Sequence, residues 1–316
     1  KDKKQYYEES GTVFHTLYTI KYEAPHILTD KIDAELQKFN LSLNPFNPNS
    51  IIAKVNNNEA VEVDEWFTEV FNKSMEVSRN SDGVFDITCA PLVNLWGFGF
   101  NKKDSVTPAM IDSLKTFVGY RKVHLEGKKV VKDDPRLLLN CSAIAKGYSC
   151  DVIARLLEKE GVENYMILIG GEVVVKGVNQ NGVCWRTGIN LPEDDPDGIK
   201  NNYDEIVQLC KKGAIATSGN YRNFYIKDGK KYAHTIDPRT GYPAEQSVLS
   251  ATIVANDCMT ADAYATAFMA MGLEKARQMA DSLPEIEYYV IYADENGKHQ
   301  IEYSKGMLQY LPKRKQ

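Results

Sequence analysis

The stretch LNCSAIAKGYSCDVIARLLEKEGVENYMILIGGEVVVKG, Leu139 to Gly177, decides the fold class. It starts in a turn and becomes a helix with Val152, Leu156 and Leu157 on its buried side, stopping at Gly161. NYMILIGGEVVVKG then gives two β-rich runs interrupted by Gly170 and Gly171, where a bulge or a close ligand approach is expected. A helix feeding paired strands, in a chain without long βαβ repeats, predicts an α+β fold with mixed or antiparallel sheets and packed helices.

Working outward, TVFHTLYTIKYEA (Thr12 to Ala24) has the aromatic and β-branched content of one opening strand. DKIDAELQKFNLSL reads as a helix capped near Asp30, and NPFNPNSIIAKVNNN as a Pro/Asn-rich loop running into a short element. Between Asp64 and Asn80, helical spacing puts Trp66, Val70, Phe71, Ser74 and Val77 on one face. Strands recur around Arg186 to Ile189, Val207 to Leu209, Asn223 to Lys227 and Ser250 to Val254.

With 316 residues, 43% of them hydrophobic, the chain can bury a large core. Lys and Arg total 38 against 43 Asp and Glu, a formal charge of -5, so no nucleic-acid footprint is present. The basic cluster at the end, Lys313, Arg314 and Lys315, reads as a solvated tail. No apolar run reaches the roughly 20 residues of a membrane span. The six cysteines lack any CxxC spacing and are expected to be buried free thiols, not a zinc site or a redox pair.

Residues with chemical potential gather in loop-rich segments. AIATSGNYRNFYIKDGKKYAHTIDPRTGYPA, Ala214 to Ala244, crowds turn-forming residues around His234, with Ser218, Gly219 and Tyr221 before it and Asp237, Pro238 and Gly241 after it. Histidine titrates near neutrality, which suits proton transfer, although a lone one in a strand often has a structural bond instead. DCMTADAYATAFMAMG (Asp257 to Gly272) reads as a helix entered at Thr260, with Tyr264, Phe268 and Met271 in the core. Asp262 and Thr266, four apart, share a face and offer hard oxygens to Mg²⁺. By spacing alone they are equally an exposed pair favoured by the helix dipole. Lys146 follows a turn that could present backbone groups to a phosphate, or is simply a solvated lysine. Neither GxGxxG, GxxxxGK[ST], GxSxG nor HExxH occurs, which removes the best support for Rossmann, P-loop, serine-hydrolase and zinc-protease readings.

Four segments in register, GVFDITCAPLVNLWGFG, SAIAKGYSCDVIARLLEKEGVENYMILIGGEVVVKG, TSGNYRNFYIKDGKKYAHTIDPRTGYPA and VANDCMTADAYATAFMAMG, resemble the ApbE-type FAD:protein FMN transferases. The resemblance spans about Gly11 to Gly272 of what is taken as a single domain, 1–316. It implies two subdomains enclosing an FAD cleft, and an exported or lipid-anchored bacterial protein of the periplasm or cell envelope. The implied reaction is Mg²⁺-dependent: FAD is split, FMN passes to a Thr or Ser hydroxyl of a partner protein, and AMP leaves. The partner it suggests is a subunit of a membrane redox complex. By the family's pattern the metal lies among the Ala143 carbonyl, Asp262 and Thr266. FAD contacts fall on Phe46, Val84, Phe85, Asp86, Asn140, Lys146 and Ile236, and His234 takes the acceptor's proton while Asp262 serves catalysis through the metal. A FAD pyrophosphatase and a non-catalytic FAD-binding protein are the alternative classes.

Overall fold

The computed structural model describes residues 2–97, 106–189, 205–219, 224–227 and 230–315, with backbone alone at 224–227 and 230–234. Tyr221, Asn223 and Gly99 lie outside the described residues. In chain order the strands are β1 (Gln5–Val13), β2 (Thr16–Ala24), β3 (Val123–Glu126), β4 (Lys129–Lys132), β5 (Tyr165–Ile169), β6 (Glu172–Lys176), β7 (Trp185–Ile189) and β8 (Glu205–Leu209). They continue as β9 (Gly213–Ser218), β10 (Phe224–Lys227), β11 (Lys230–Ile236), β12 (Pro243–Gln246), β13 (Val248–Ala255), β14 (Glu287–Ala293) and β15 (His299–Tyr303). The helices are α1 (Thr29–Leu43), α2 (Ile51–Asn56), α3 (Glu65–Asn80), α4 (Ala90–Trp96), α5 (Pro108–Lys115), α6 (Ser142–Lys159), α7 (Cys258–Met271) and α8 (Leu273–Asp281).

Eight strands form one sheet in the order β1-β2-β5-β6-β9-β13-β14-β15. Every described pairing in it is antiparallel, which settles the sheet type left open by the sequence. The strands follow one another as a meander interrupted by excursions, and three of these build the site. The first, between β2 and β5, carries α1 to α6; the second, between β9 and β13, carries the three-stranded sheet β10-β11-β12; the third, between β13 and β14, carries α7 and α8.

Both faces of the central strands are covered, so all eight positions of β13 are buried. Alternation along β6 sends Val174 into the main core, which α1, α3, α6 and α7 cover, and Val173 and Val175 into a second core beneath the β7–β8 ribbon. A small third cluster joins Leu92, Ile111, Phe117 and Val118 to Ile236 of β11.

Several expectations change in detail. Thr12 to Ala24 is not one strand, because Val13 pairs with Thr16 across a two-residue turn in which Phe14 and His15 have φ of 53° and 58°. Two bulky residues at positive φ carry none of the usual Gly/Asn turn signal. Gly170 and Gly171 form no bulge; with φ of 59° and 92° they close the β5–β6 hairpin, Ile169 facing Glu172. Helix α1 starts after Leu28 without a side-chain cap, and Asp30 sits in its first turn, where a carboxylate favours the helix dipole. On α3, Asp64 caps Phe67 N, and Val70, Phe71, Ser74 and Val77 are buried with Phe67, while Trp66 is half-buried. Helix α7 begins at Cys258, two residues ahead of Thr260, whose N–H the Asp257 cap receives.

The cysteines are not all free thiols. Cys184 and Cys210 form a disulfide at the base of the β7–β8 ribbon, leaving Cys141, Cys150 and Cys258 buried and Cys89 half-buried. Nor is the basic tail wholly solvated, for Arg314 Nε donates to Glu205 Oε1, a carboxylate 6% exposed.

Candidate active site

A cleft of about 670 Å³ opens where these three excursions meet the sheet. Phe46, Val84, Phe85, Asp86, Asn140, Ala143, Lys146, Ile236, Asp262 and Thr266 all line it. Thus ten residues spread over more than 200 positions of sequence meet in one cavity. His234 lies on β11 opposite Glu245, two residues before Ile236; its side chain lies outside the described residues.

The crossing of α6 and α7 sets the polar centre. The Asp151 carboxylate of α6 accepts the N–H groups of Cys258 and Met259 at 2.8 Å each, fastening the first turn of α7. Gly147 N then donates to Asp262 Oδ2 at 2.9 Å. In a regular helix that N–H serves the carbonyl four residues back, here Ala143. Asp262 thus competes with the Ala143 carbonyl for that N–H. Thr266 Oγ1 stands 3.5 Å from that oxygen and 3.2 Å from Asp262 O.

Asp262 is therefore not an exposed residue of a helix face: it is 5% exposed. Burial pushes its carboxyl up from the usual range, while the Gly147 N–H, Glu172 and Lys146 pull against that shift. Glu172, unsuspected from sequence, is also 5% exposed, lines the cleft and lies against the Asp262 carboxyl. Burial and the neighbouring acid push its carboxyl up as well. The available signal was a lone acid opening a valine-rich strand directly after Gly-Gly.

Other predicted contacts sort by what their atoms have left to offer. Asn140 Oδ1 accepts Ser142 N at 2.9 Å and Ser142 Oγ at 2.5 Å, capping the start of α6 and leaving the amide N–H₂ as its donor for a ligand. The Asp86 carboxylate is already engaged: Oδ1 accepts Thr88 N and Oγ1 at 2.8 and 2.7 Å, and Oδ2 accepts Tyr120 N at 3.0 Å. Burial nonetheless pushes its carboxyl up. Asp86 thus shapes the loop, and Phe85 anchors it with a side chain in the main core. Phe46, 73% exposed, forms an aromatic edge with its ring 6.4 Å from that of His15.

The oxygen set suits a hard cation. Two ligands of one Mg²⁺ octahedron, each at about 2.1 Å, lie roughly 3 Å apart. The 3.5 Å between Ala143 O and Thr266 Oγ1 is close to that edge, and the Asp262 carboxylate adds charge. Among the described residues no group of three or more His, Cys, Asp and Glu side chains could hold a metal. A cation here would complete its shell with ligand phosphates and water, as Mg²⁺ does.

Hard oxygens, an ammonium, an amide and an aromatic edge around one cleft suit a phosphate-bearing, ring-containing ligand. The sequence signature of the ApbE family matches residues 14–290, and the chain belongs to that family. It is 37% identical over 284 residues to the FAD:protein FMN transferase of Vibrio cholerae, spanning 86% of this chain and 84% of that one. The solved flavin transferase ApbE from Vibrio cholerae superposes with a TM-score of 0.85 at 33% identity, over 98% of this chain and 100% of that one. The Pseudomonas stutzeri flavinyl transferase ApbE does so with 0.84 at 27% identity, over 98% and 97%.

Proposed function

We propose that this chain is an FAD:protein FMN transferase that binds FAD in the cleft, breaks its pyrophosphate and attaches FMN to a protein hydroxyl. The observation that carries the reading is the meeting of Asp262, Thr266, Ala143 O, Lys146 and Asn140 around one cavity beside an aromatic edge.

The acceptor's Thr or Ser oxygen forms a new bond to the FMN phosphorus as the P–O bond to AMP breaks, and AMP leaves with that electron pair. His234 takes the hydroxyl proton. The Lys146 ammonium and the Asn140 amide hold phosphate oxygens and counter their charge. Ala143 O, Asp262 and Thr266 would hold Mg²⁺, which neutralises charge developing on the phosphates. The β11 backbone brings Ile236 to the cleft from the second excursion, and its nearness in sequence to His234 supports the role of that histidine.

We further take the protein to work outside the cytoplasm, in the periplasm or as a cell-envelope lipoprotein. Its disulfide favours an oxidising compartment. The acceptor is proposed as a subunit of a membrane redox complex, on the family resemblance.

The test is incubation with FAD, Mg²⁺ and a candidate acceptor, followed by intact mass of the acceptor and chromatography of nucleotides. Equal yields of AMP and FMN-bearing acceptor are expected. Free FMN with an unmodified acceptor would make the protein a pyrophosphatase, and intact FAD would make it a carrier.

A further inference from the structure

The donor set of Ala143, Asp262 and Thr266 contains one carboxylate, and the fold brings a second to it. Glu172 is the first residue of β6, placed by the two-residue turn that pairs it with Ile169. A slip of one residue would turn its side chain to the opposite face. Its backbone is held from behind by the Cys150 thiol, which reaches Glu172 O at 3.5 Å. The Glu172 side chain is 5% exposed, lines the cleft and meets the carboxyl group of Asp262.

A buried acid is ordinarily matched by a cation or by hydrogen-bond donors. Glu172 is instead set against another acid. Lys146 faces both, one positive charge against two carboxylates. Carboxylates in contact repel in a poorly screened interior unless further positive charge lies between them. The other candidate donors, Ala143 O and Thr266 Oγ1, are hard oxygens, a combination that selects Mg²⁺ or Mn²⁺ over softer metals.

We infer that Glu172 is a second carboxylate of the divalent-cation site, acting with Asp262 on the ion directly or through one of its waters. This rests on the metal-dependent reading proposed above. The pair then gives the site the double negative charge that a divalent ion matches.

The experiment titrates Mn²⁺ into the full chain without nucleotide and reads free Mn²⁺ by electron paramagnetic resonance. Glu172→Gln retains size and a hydrogen-bonding group, so it should fold. Its Mn²⁺ Kd should rise by about 10–100-fold, the range typical for groups supporting a metal site. Glu172→Asp, which keeps the charge but retracts it, should lie between. Thermal melts should show a Mn²⁺-induced rise in Tm for wild type that Glu172→Gln lacks at the same Mn²⁺ concentration. Wild-type Mn²⁺ affinity in a folded Glu172→Gln, with affinity lost in Asp262→Asn, would overturn this inference alone. Absence of Mn²⁺ binding by the wild type, even with FAD added, would overturn the metal reading beneath it.

Discussion

The backbone N–H of Gly147 donates to Oδ2 of Asp262 at 2.9 Å across a helix crossing with no room for a side chain. A Cβ at residue 147 would lie 2.3 Å from Cys258 O and 2.7 Å from Asp262 Cβ. Gly147→Ala must therefore push α6 from α7, costing about 1–3 kcal/mol or more as overpacking does. Turnover should fall further than the stability loss explains, since Asp262 moves with α7. Thermal melting and AMP release, measured together, check this; wild-type values for both would mean the crossing has slack.

Asp262→Asn keeps an oxygen for Gly147 while removing the charge. FAD cleavage should drop by at least about 100-fold, a loss of roughly 2.7 kcal/mol in transition-state stabilisation. EDTA should do the same to the wild type. Nucleotide chromatography with and without chelator decides the matter, and cleavage persisting under both treatments would remove Asp262 and the metal from the reaction.

His234→Ala should retain FAD affinity but lose acceptor modification by roughly 10²–10⁴-fold, the usual contribution of a general base. The wild-type rate should rise with pH as the imidazole loses its proton. FAD titration and acceptor mass on one preparation distinguish this from a structural histidine, whose removal would weaken folding and binding together.

Arg239 clasps two loops flanking the cleft, donating to Asp237 Oδ1 and Oδ2 at 3.0 Å each and to Asp82 Oδ2 at 3.1 Å. Burial pushes the Asp237 carboxyl up, but Arg239 outweighs it and holds the carboxyl below its usual range. A folded value below the unfolded one, about 3.9, means the stabilisation is complete above roughly pH 4. It is lost as pH falls through the lower folded value. Asp237→Asn should therefore lower Tm at pH 7, by a contribution on the order of 1 kcal/mol or less for so exposed a partner, and by progressively less as the pH is taken below about 4. Melting curves across that range test the sign, which a gap widening in acid would reverse.

Cys184 and Cys210 are 26 positions apart. A loop of that size, once cross-linked, stabilises by about 3–4 kcal/mol on the chain-entropy account. Reductant should lower Tm, and Cys184→Ser with Cys210→Ser should reproduce the drop. Unchanged melting after thiol titration confirms reduction would contradict it.

The α+β class and the amphipathic face of α3 were legible because each rests on local pattern, whereas the ten residues that meet in the cleft were named through the family resemblance. The β1–β2 turn was not, since Phe14 and His15 reach positive φ without a turn residue to announce it. Spacing placed Asp262 and Thr266 on one face but could not say whether that face was wet. Burial of α7 on nearly every side comes from α6, the sheet and β11, partners distant in sequence. The pairing of Glu172 with Asp262 escaped for the same reason. The disulfide was hidden because its cysteines flank two strands far apart in sequence, and cysteine count alone fixes no pairing.

The salt link from Arg314 to the buried Glu205 also has a practical side. Tyr289 OH donates to the same carboxylate at 2.9 Å, and the guanidinium lies 5.5 Å from the Tyr303 ring. Arg314 is thus tied to the folded body and is not a spare handle. A linker or label attached through this side chain would have to break that tie. A clone shortened before Arg314 would leave the buried Glu205 carboxylate without its cation.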